Sequence, residues 1–273
     1  MPAPPSRPYP AKPEEVYFFG TCLVDLFYPE AGLAAVELME REGVRVIFPQ
    51  GQTCCGQPAF NSGYRREARA VAAAQLALFP KPIPVVVPSG SCGAMMQRHY
   101  PDLFAADGAA DGPAGPDRPA AQAAEATALA ERVVEWSDFM ANVLRVKLRD
   151  SGPPLKVTYH PSCHLQREMG VREAPQALLA QLGGVEVLPL PQAADCCGFG
   201  GTFSVKQDDI SWAMVEDKRR AVEASGADVL VSMDCGCLMH IGAAMEKAGQ
   251  PGRVVPLPLF LWERSGTGDG GRA

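Results

Sequence analysis

Two pairs of adjacent cysteines are the residues of this sequence best suited to chemistry. They lie in QTCCGQP (52–58) and in ADCCGFGG (194–201), and a glycine follows each pair. Neighbouring cysteines do not readily form a disulfide with each other, because the geometry of that bond is demanding. Clustered thiolates are soft ligands that favour zinc, copper(I) or iron–sulfur clusters. The doublets therefore indicate metal binding.

The cysteines of the chain fall into two sets that repeat. Corresponding members are about 140 residues apart, and the flanking sequence repeats with them: EVYFFGTCLVDLF resembles KVTYHPSCHLQRE, and PVVVPSGSC resembles DVLVSMDCGC. A single cysteine is often only a small buried side chain, but the repeated arrangement favours ligands. The predicted metal ligands are Cys22, Cys54, Cys55 and Cys92 in the first set and Cys163, Cys196, Cys197, Cys235 and Cys237 in the second.

The spacing of the cysteines favours an iron–sulfur cluster over a zinc knuckle. Structural zinc sites usually combine two short CxxC-like motifs, whereas successive motifs here are about 30 to 40 residues apart. An iron–sulfur cluster typically takes four thiolates, and each set supplies at least four. Gly56, Gly198 and Gly200 would then allow backbone N–H groups to approach the cluster sulfurs and tune the potential.

The order of these motifs resembles the cysteine-rich CCG domain, present twice. The first repeat reads C-x31-CC-G-x35-C, the second has the same order and ends in DCGC, and the resemblance covers residues 14–262. This domain is shared by the cysteine-rich subunit of heterodisulfide reductase, the iron–sulfur subunit of glycolate oxidase and lactate utilization protein A. The chain is most similar to the lactate utilization protein A family, because it is short and lacks a ferredoxin-like CxxCxxCxxxCP module.

The resemblance implies an electron-transfer subunit with one or two [4Fe-4S] clusters. Its expected setting is a multi-protein system that oxidises L-lactate to pyruvate and supports growth on lactate. The implied partners are the other subunits, one of which contains a ferredoxin. Such a subunit is an oxidoreductase component that is not catalytically complete alone. The stretch CCGFGG lacks the GxGxxG order of a dinucleotide fingerprint, no strand is followed by GxxxxGK, and no GxSxG or HExxH motif appears.

The last motif of each repeat departs from the domain pattern. The pattern ends in CxxC, but Ser89 replaces the first of these cysteines in one repeat and Asp234 replaces it in the other. Cys235 follows one position late and is either a ligand or a buried thiol. The number and type of clusters therefore stay open. Three alternatives also stay open: a thiol–disulfide reductase resembling heterodisulfide reductase, an iron–sulfur subunit of a glycolate or other 2-hydroxy acid oxidase, and a zinc-stabilised scaffold.

Four histidines accompany the cysteines. His160 and His164 lie on either side of Cys163, and either could be a ligand or a proton carrier, but histidines in loops beside a site are more often structural. His99 and His240 follow the last cysteine of their repeats, where packing roles are expected. The histidines are therefore left out of the predicted ligand set.

Short runs of β-branched and aromatic residues precede the cysteines and predict strands, with helical sequence between them. The predicted strands are Val16–Phe19, Val44–Phe48, Val85–Val87, Val157–Tyr159, Val185–Leu188 and Val229–Val231, and the helices are 31–43, 66–79, 174–184 and 214–226. This alternation predicts an α/β fold with two pseudo-symmetric lobes from an internal duplication, each a mainly parallel sheet with flanking helices. Loops at the carboxyl ends of such strands gather at one edge, so the cysteines of each repeat are expected to converge.

Composition and low-complexity segments complete the predicted organisation. The segments are a disordered N-terminus (1–13), a first CCG lobe (14–104), a low-complexity insertion (105–126), a helix joining the lobes (127–150), a second CCG lobe (151–264) and a disordered tail (265–273). The net charge of −6 argues against a nucleic-acid partner. No run resembles a signal peptide or a membrane span, so a cytoplasmic location is predicted.

Overall fold

The computed structural model describes residues 11–105 and 120–266, which form two lobes built around two parallel sheets. The strands of the first sheet are β1 (Glu15–Phe18), β2 (Arg45–Ile47), β3 (Val85–Val87) and β4 (Val133–Glu135). Those of the second are β5 (Leu155–His160), β6 (Val185–Leu188), β7 (Val229–Ser232) and β8 (Arg253–Pro256). The sheet orders, β2-β1-β3-β4 and β6-β5-β7-β8, are equivalent. The predicted α/β fold of two similar lobes is confirmed.

Helices connect the strands and cover the sheets. The first lobe has α1 (Cys22–Phe27), α2 (Pro29–Arg41), α3 (Gln57–Asn61), α4 (Arg65–Leu76), α5 (Gly90–Ala94), α6 (Tyr100–Phe104), α7 (Ala120–Arg132) and α8 (Trp136–Asp138). The second has α9 (Cys163–Arg167), α10 (Ala174–Leu179), α11 (Phe203–Lys206), α12 (Asp208–Ser225), α13 (Cys235–Lys247) and α14 (Leu257–Ser265). Two π-helical segments are Met95–His99 and Phe139–Leu144.

The central strands are apolar because both faces of each sheet are covered. All three residues of β3 are fully buried valines, and all four residues of β7 are buried. Such continuous apolar strands are typical of parallel sheets between helical layers. The β-branched side chains also favour the extended backbone. This layering fixes the carboxyl ends of the strands, where the cysteines follow.

The segment predicted as one helix joining the lobes, 127–150, differs in the structure. Helix α7 ends at Arg132, β4 then pairs with β3, and α8 and the π-helix Phe139–Leu144 follow. The apolar periodicity does mark core residues, because Trp136 and Phe139 are buried. A three-residue strand is too short to interrupt that pattern visibly, so the sequence does not predict β4, and it does not predict β8 either.

The predictions for 1–13, 105–126 and 265–273 fall largely outside the described residues. Helix α7 begins at Ala120, within the predicted insertion. In the ranges the structure describes, 11–105 and 120–266, no helix has the length and apolar content needed to cross a membrane.

The two lobes pack against each other in a reciprocal way. Helix α5 of the first lobe contacts α9 of the second, while α1 contacts α13; likewise α2 contacts α14, while α10 contacts α8. Such exchange of equivalent elements is the pattern of an isologous, two-fold interface. Trp262 Nε1 donates to Glu37 Oε2 at 2.8 Å across it. One apolar core runs through both lobes.

A buried ion pair joins the last helix of the second lobe to the segment that precedes β5. Arg264 Nη2 donates to Asp150 Oδ2 at 2.7 Å, and both side chains are less than a tenth exposed. The backbone N–H groups of Gly152 and Gly184 also donate to this carboxylate, at 3.1 and 2.6 Å. Burial opposes ionisation, but the hydrogen bond from Arg264 and those from the backbone outweigh it and lower the pKa of Asp150.

Glu135, at the end of β4, is expected to make stability depend on pH. The residue is 1% exposed, and burial raises the pKa of Glu135 to about 7. The unfolded chain releases this proton at about pH 4.3. Between that pH and 7, the unfolded state therefore binds fewer protons than the folded state. Stability therefore falls as pH rises through this window, by about 4 kcal/mol in total.

The Glu135→Gln variant tests this expectation. Glutamine keeps the acceptor for the N–H of Asp138, which lies 3.1 Å from Glu135 Oε2, but it does not titrate. Denaturant unfolding at pH 5 and pH 8 is expected to show a steeper loss of stability with pH in the wild type than in the variant. Equal pH dependence in the two proteins would contradict the expectation.

Candidate metal centre

The topology of each sheet creates a crevice beside its first strand. Because β1 lies between β2 and β3, the chain winds to one side and then to the other, and a ligand site is expected at the carboxyl ends where the winding reverses. Cys22 begins the helix after β1, and Cys92 lies in the helix after β3. Cys163 and Cys237 occupy the equivalent places after β5 and β7. The fold thus brings distant cysteines to one edge of each sheet.

All nine cysteines line one cavity of about 150 Å³ between the lobes. The doublets reach it from the loops that follow β2 and β6. The sequence predicted convergence within each repeat, and the structure brings both repeats together as well. Reciprocal packing of the lobes is the reason, because it turns the carboxyl ends of both sheets toward their junction. All nine thiols are free of disulfide bonds.

Within each set the thiols form a chain of hydrogen-bond contacts. In the first lobe the chain is Cys22–Cys54–Cys55–Cys92, and in the second it is Cys163–Cys196–Cys197–Cys237. Cys235 lies outside both chains. Burial raises the pKa of Cys235, and the negative charges of Asp234 and of Cys92 in the other lobe add to that effect.

The first cysteine of each doublet is the preferred thiolate. Hydrogen bonds from the thiols of Cys22 and Cys55 hold the pKa of Cys54 well below its usual range. Hydrogen bonds from Cys163 and Cys197 do the same for the pKa of Cys196. Since the thiolate is the form that binds metal, each lobe presents a ligand set that already favours one anionic sulfur.

The glycine after each doublet adopts a backbone conformation with positive φ and donates a hydrogen bond to a cysteine sulfur. Gly56 N–H donates to Cys54 Sγ, and Gly198 N–H donates to Cys196 Sγ, both at 3.4 Å. Both glycines have positive φ, 89° and 83°, which side chains with a Cβ rarely adopt. A Cβ on Gly200 would lie 2.8 Å from Phe203 Cβ, so space explains this glycine. Their contact with cluster sulfurs stays a prediction.

The two residues that replace motif cysteines meet across the lobe junction. Ser89 Oγ donates to Asp234 Oδ2 at 3.3 Å, and both residues are buried. The same carboxylate oxygen accepts from the N–H of Ser91 at 3.0 Å and from Ser162 Oγ at 3.4 Å. The two departures from the repeat are therefore one hydrogen-bonded feature, which no pattern in the sequence predicts.

Lys218 is a buried cation beside the second set. Its side chain is about 2% exposed, and Nζ donates to Gln192 O at 2.6 Å. The first lobe has a neutral arrangement near its doublet, in which Gln75 Nε2 donates to Thr53 Oγ1 at 2.7 Å. A positive charge favours nearby thiolates. Sequence reasoning missed Lys218, because a lysine in an amphipathic helix usually faces solvent.

The histidines occupy different environments. His164 Nδ1 lies 3.6 Å from Cys163 Sγ, and the opposite ring nitrogen is 3.5 Å from Glu168. His99 pairs with the same glutamate at 2.9 Å, and His240 contacts Ser211 Oγ at 3.0 Å. His160 alone of the four is fully buried, beside Cys197 and Cys237.

Close helix packing holds the two ligand sets together. A Cβ on Gly90 would lie 2.5 Å from Leu165 Cβ and 2.8 Å from the Leu165 backbone nitrogen. Gly90 begins α5 and Leu165 lies in α9, so the contact joins the two lobes directly beside the cavity. Only glycine permits this approach.

Gly90→Ala is therefore expected to destabilise the protein by about 1–3 kcal/mol, the usual effect of overpacking a close contact. The control is Gly183→Ala, because no atom lies within 4 Å of a Cβ built there. Denaturant unfolding of both variants checks the expectation. A Gly90 variant as stable as the Gly183 variant would show that α5 and α9 can move apart at this contact without a loss of stability.

The donor set of this cavity fits a thiolate-bound metal centre. Each lobe contributes four sulfurs linked in one chain, at least one of them favoured as thiolate, and each doublet receives a backbone N–H. Four soft ligands per lobe match the requirement of an iron–sulfur cluster. The cavity opens at the junction of the lobes, where a bound centre would face both ligand sets.

Comparison with known proteins gives consistent results. A family model described as a cysteine-rich domain, CCG, matches residues 16–97 and 157–242. Lactate utilization protein A of Geobacillus kaustophilus is 46% identical over 253 residues, covering 92% of this chain and 100% of that protein. Lactate utilization protein A of Bacillus licheniformis is 47% identical over 252 residues, with the same coverage.

Solved structures share the fold of this chain. The crystal structure of a hypothetical protein from Helicobacter pylori matches with a TM-score of 0.55 at 11% identity, over 96% of this chain and 51% of that chain. The chain therefore spans about half the length of that protein. At this identity the similarity concerns the fold alone.

Proposed function

Since this chain belongs to the lactate utilization protein A family and carries the cysteine-rich CCG domain twice, we propose that it is an iron–sulfur electron-transfer subunit of a cytoplasmic, multi-protein system that oxidises L-lactate to pyruvate. Its partners are the other subunits of that system, including one that contains a ferredoxin. The convergence of all nine cysteines on one cavity is the observation that carries the proposal.

The ligands follow from the two thiol chains. Cys22, Cys54, Cys55 and Cys92 would hold one cluster, and Cys163, Cys196, Cys197 and Cys237 would hold the other. When bound, such clusters supply one-electron transfer at a potential set by charge, hydrogen bonds and exposure. The N–H groups of Gly56 and Gly198 stabilise negative charge on the sulfurs of their doublets, and Lys218 adds a positive charge beside the second set.

Lactate itself is expected to be oxidised elsewhere in the system. Removing a hydride or proton from a 2-hydroxy acid needs a base positioned beside the substrate. Of the cavity residues, Asp234 carries a carboxylate, and three hydrogen bonds already occupy its Oδ2. His164 is held between Cys163 and Glu168. Both groups are hydrogen-bonded or paired with residues beside the predicted ligands. They therefore stabilise the ligand loops, as expected in an electron carrier.

Anaerobic purification with metal and sulfide analysis tests the cofactor. We expect iron and acid-labile sulfide in equal amounts, with an EPR signal on reduction. A colourless protein that contains stoichiometric zinc and no sulfide would contradict the proposal and favour a zinc-stabilised scaffold.

Growth of a deletion strain tests the substrate. Loss of the gene is expected to abolish growth on L-lactate, and a copy of the gene is expected to restore it. Growth on glucose is the control, because it does not need lactate oxidation. Normal growth on lactate with a block on glycolate would instead assign the protein to a different 2-hydroxy acid oxidase.

A further inference from the structure

His160 is a buried polar residue beside the second ligand set. It is the last residue of β5, three positions before Cys163, and its side chain is 1% exposed. In the described part of the chain, neither ring nitrogen has a hydrogen-bond partner. A buried polar group normally has one, because losing its bonds to water is unfavourable. This histidine therefore requires an explanation beyond packing.

The ring lies against the second ligand set. A ring nitrogen of His160 and the sulfurs of Cys197 and Cys237 are all within 4.8 Å of one another. Metal–nitrogen and metal–sulfur bonds are about 2.1 and 2.3 Å long. Atoms at these separations can therefore bind one metal ion, or neighbouring ions of one cluster.

The first lobe shows that packing alone does not call for a histidine here. The repeats align FFGTC (18–22) with YHPSC (159–163), so Phe19 is the equivalent of His160. Phe19 is also fully buried, directly after β1. An aromatic hydrocarbon fills the position in one lobe, whereas the other lobe places two nitrogens there, beside two thiols.

We propose that His160 supplies a ring-nitrogen ligand to the metal centre of the second lobe. This inference rests on the proposed iron–sulfur function. The second centre is then of mixed histidine and cysteine ligation, while the first is ligated by cysteine alone. His160 then takes one of the four ligand positions assigned above to the cysteines of the second lobe, and histidine in place of cysteine raises the potential of iron–sulfur centres. The second lobe is therefore the electron acceptor of the pair.

Nitrogen hyperfine spectroscopy of the reduced protein tests the ligand directly. We expect the wild type to show a strongly coupled nitrogen, whose signal changes from the 14N to the 15N pattern when histidine is labelled with 15N. This labelled sample needs no substitution, so it does not depend on the folding of a variant. A reduced iron–sulfur signal without strong histidine coupling would overturn the inference.

Two matched variants assign the coupling to one residue. His160→Phe copies the first-lobe residue and is expected to lose the strong coupling, whereas His164→Phe is expected to keep it. His160→Cys is expected to keep iron and to lower the midpoint potential of one centre. Strong coupling that persists in His160→Phe would overturn the inference. A wild type without iron and sulfide would contradict the proposed function as well. An iron–sulfur signal without strong histidine coupling, or with coupling that persists in His160→Phe, would overturn only the inference about His160.

Discussion

The Cys196→Ser variant is expected to lose the metal centre of the second lobe and to retain that of the first. Cys196 lies within the second thiol chain, where it contacts Cys163 and Cys197 and accepts the N–H of Gly198. A serine oxygen is a harder and more basic donor than a thiolate, so it replaces sulfur poorly in an iron–sulfur site. We expect bound iron and sulfide to fall to about half of the wild-type content, because each lobe provides one complete ligand set. Cys54→Ser is expected to have the mirror-image effect.

Cys235→Ser is the control for these variants. Cys235 lies in the same cavity but outside both thiol chains, so we expect this variant to keep nearly all of its iron. Metal analysis and EPR of the three variants, purified without oxygen, decide the matter. If Cys54→Ser and Cys196→Ser each removed all of the iron, a single centre shared between the lobes would replace the two-centre assignment.

Replacing Arg264 by alanine is expected to destabilise the protein by about 3–5 kcal/mol, because it leaves the buried carboxylate of Asp150 without its counter-ion. The two groups are 2.7 Å apart and nearly inaccessible to water. Arg264 Nη1 also donates to Pro153 O at 2.7 Å, so the variant loses a second hydrogen bond. The midpoint of anaerobic denaturant unfolding measures the effect on the metal-loaded protein.

An exposed ion pair in the same lobe provides the control. Arg253 contacts Glu263 at 2.5 Å, but their side chains are 55% and 31% exposed. Arg253→Ala is expected to change the free energy of unfolding by about 1 kcal/mol or less, because water screens such pairs. Similar losses in both variants would show that burial does not set the strength of the Asp150–Arg264 pair.

The stability from the Asp150–Arg264 pair also has a defined pH range. The pKa of Asp150 is lowered in the folded protein, so the folded state keeps the carboxylate ionised where the unfolded chain takes up a proton. The contribution is complete above about pH 4, the value for an unfolded aspartate, and is lost as the pH falls below it. The acid limb of the wild-type stability curve is expected to flatten in Arg264→Ala.

Sequence reasoning succeeded where a local pattern decides the structure. The valine run of β3 predicts a buried strand, and the structure has one there. The internal repeat then extended these local predictions to a fold, because copies of one sequence adopt one topology. Sequence reasoning failed for Val133–Glu135, because this edge strand of three residues lies within a segment whose apolar residues have helical spacing.

Contacts between the lobes were beyond prediction for a different reason. A repeat shows that two lobes are alike, but it does not show which faces meet. The shared cavity depends on those faces. The isolation of His160 also became visible only when its neighbours were known, since the sequence places it beside Cys163 just as it places His164.

Ser89 and Asp234 have a consequence for the history of the two repeats. They occupy equivalent positions in the two copies and bind each other, so the return of either one to cysteine removes a hydrogen bond from a buried residue of the other copy. The copies have therefore lost their independence at this position: a change in one half alters the hydrogen bonding of the other half. A chain made by fusing this first repeat to a second repeat with cysteine in place of Asp234 would keep Ser89 and lose its partner across the junction.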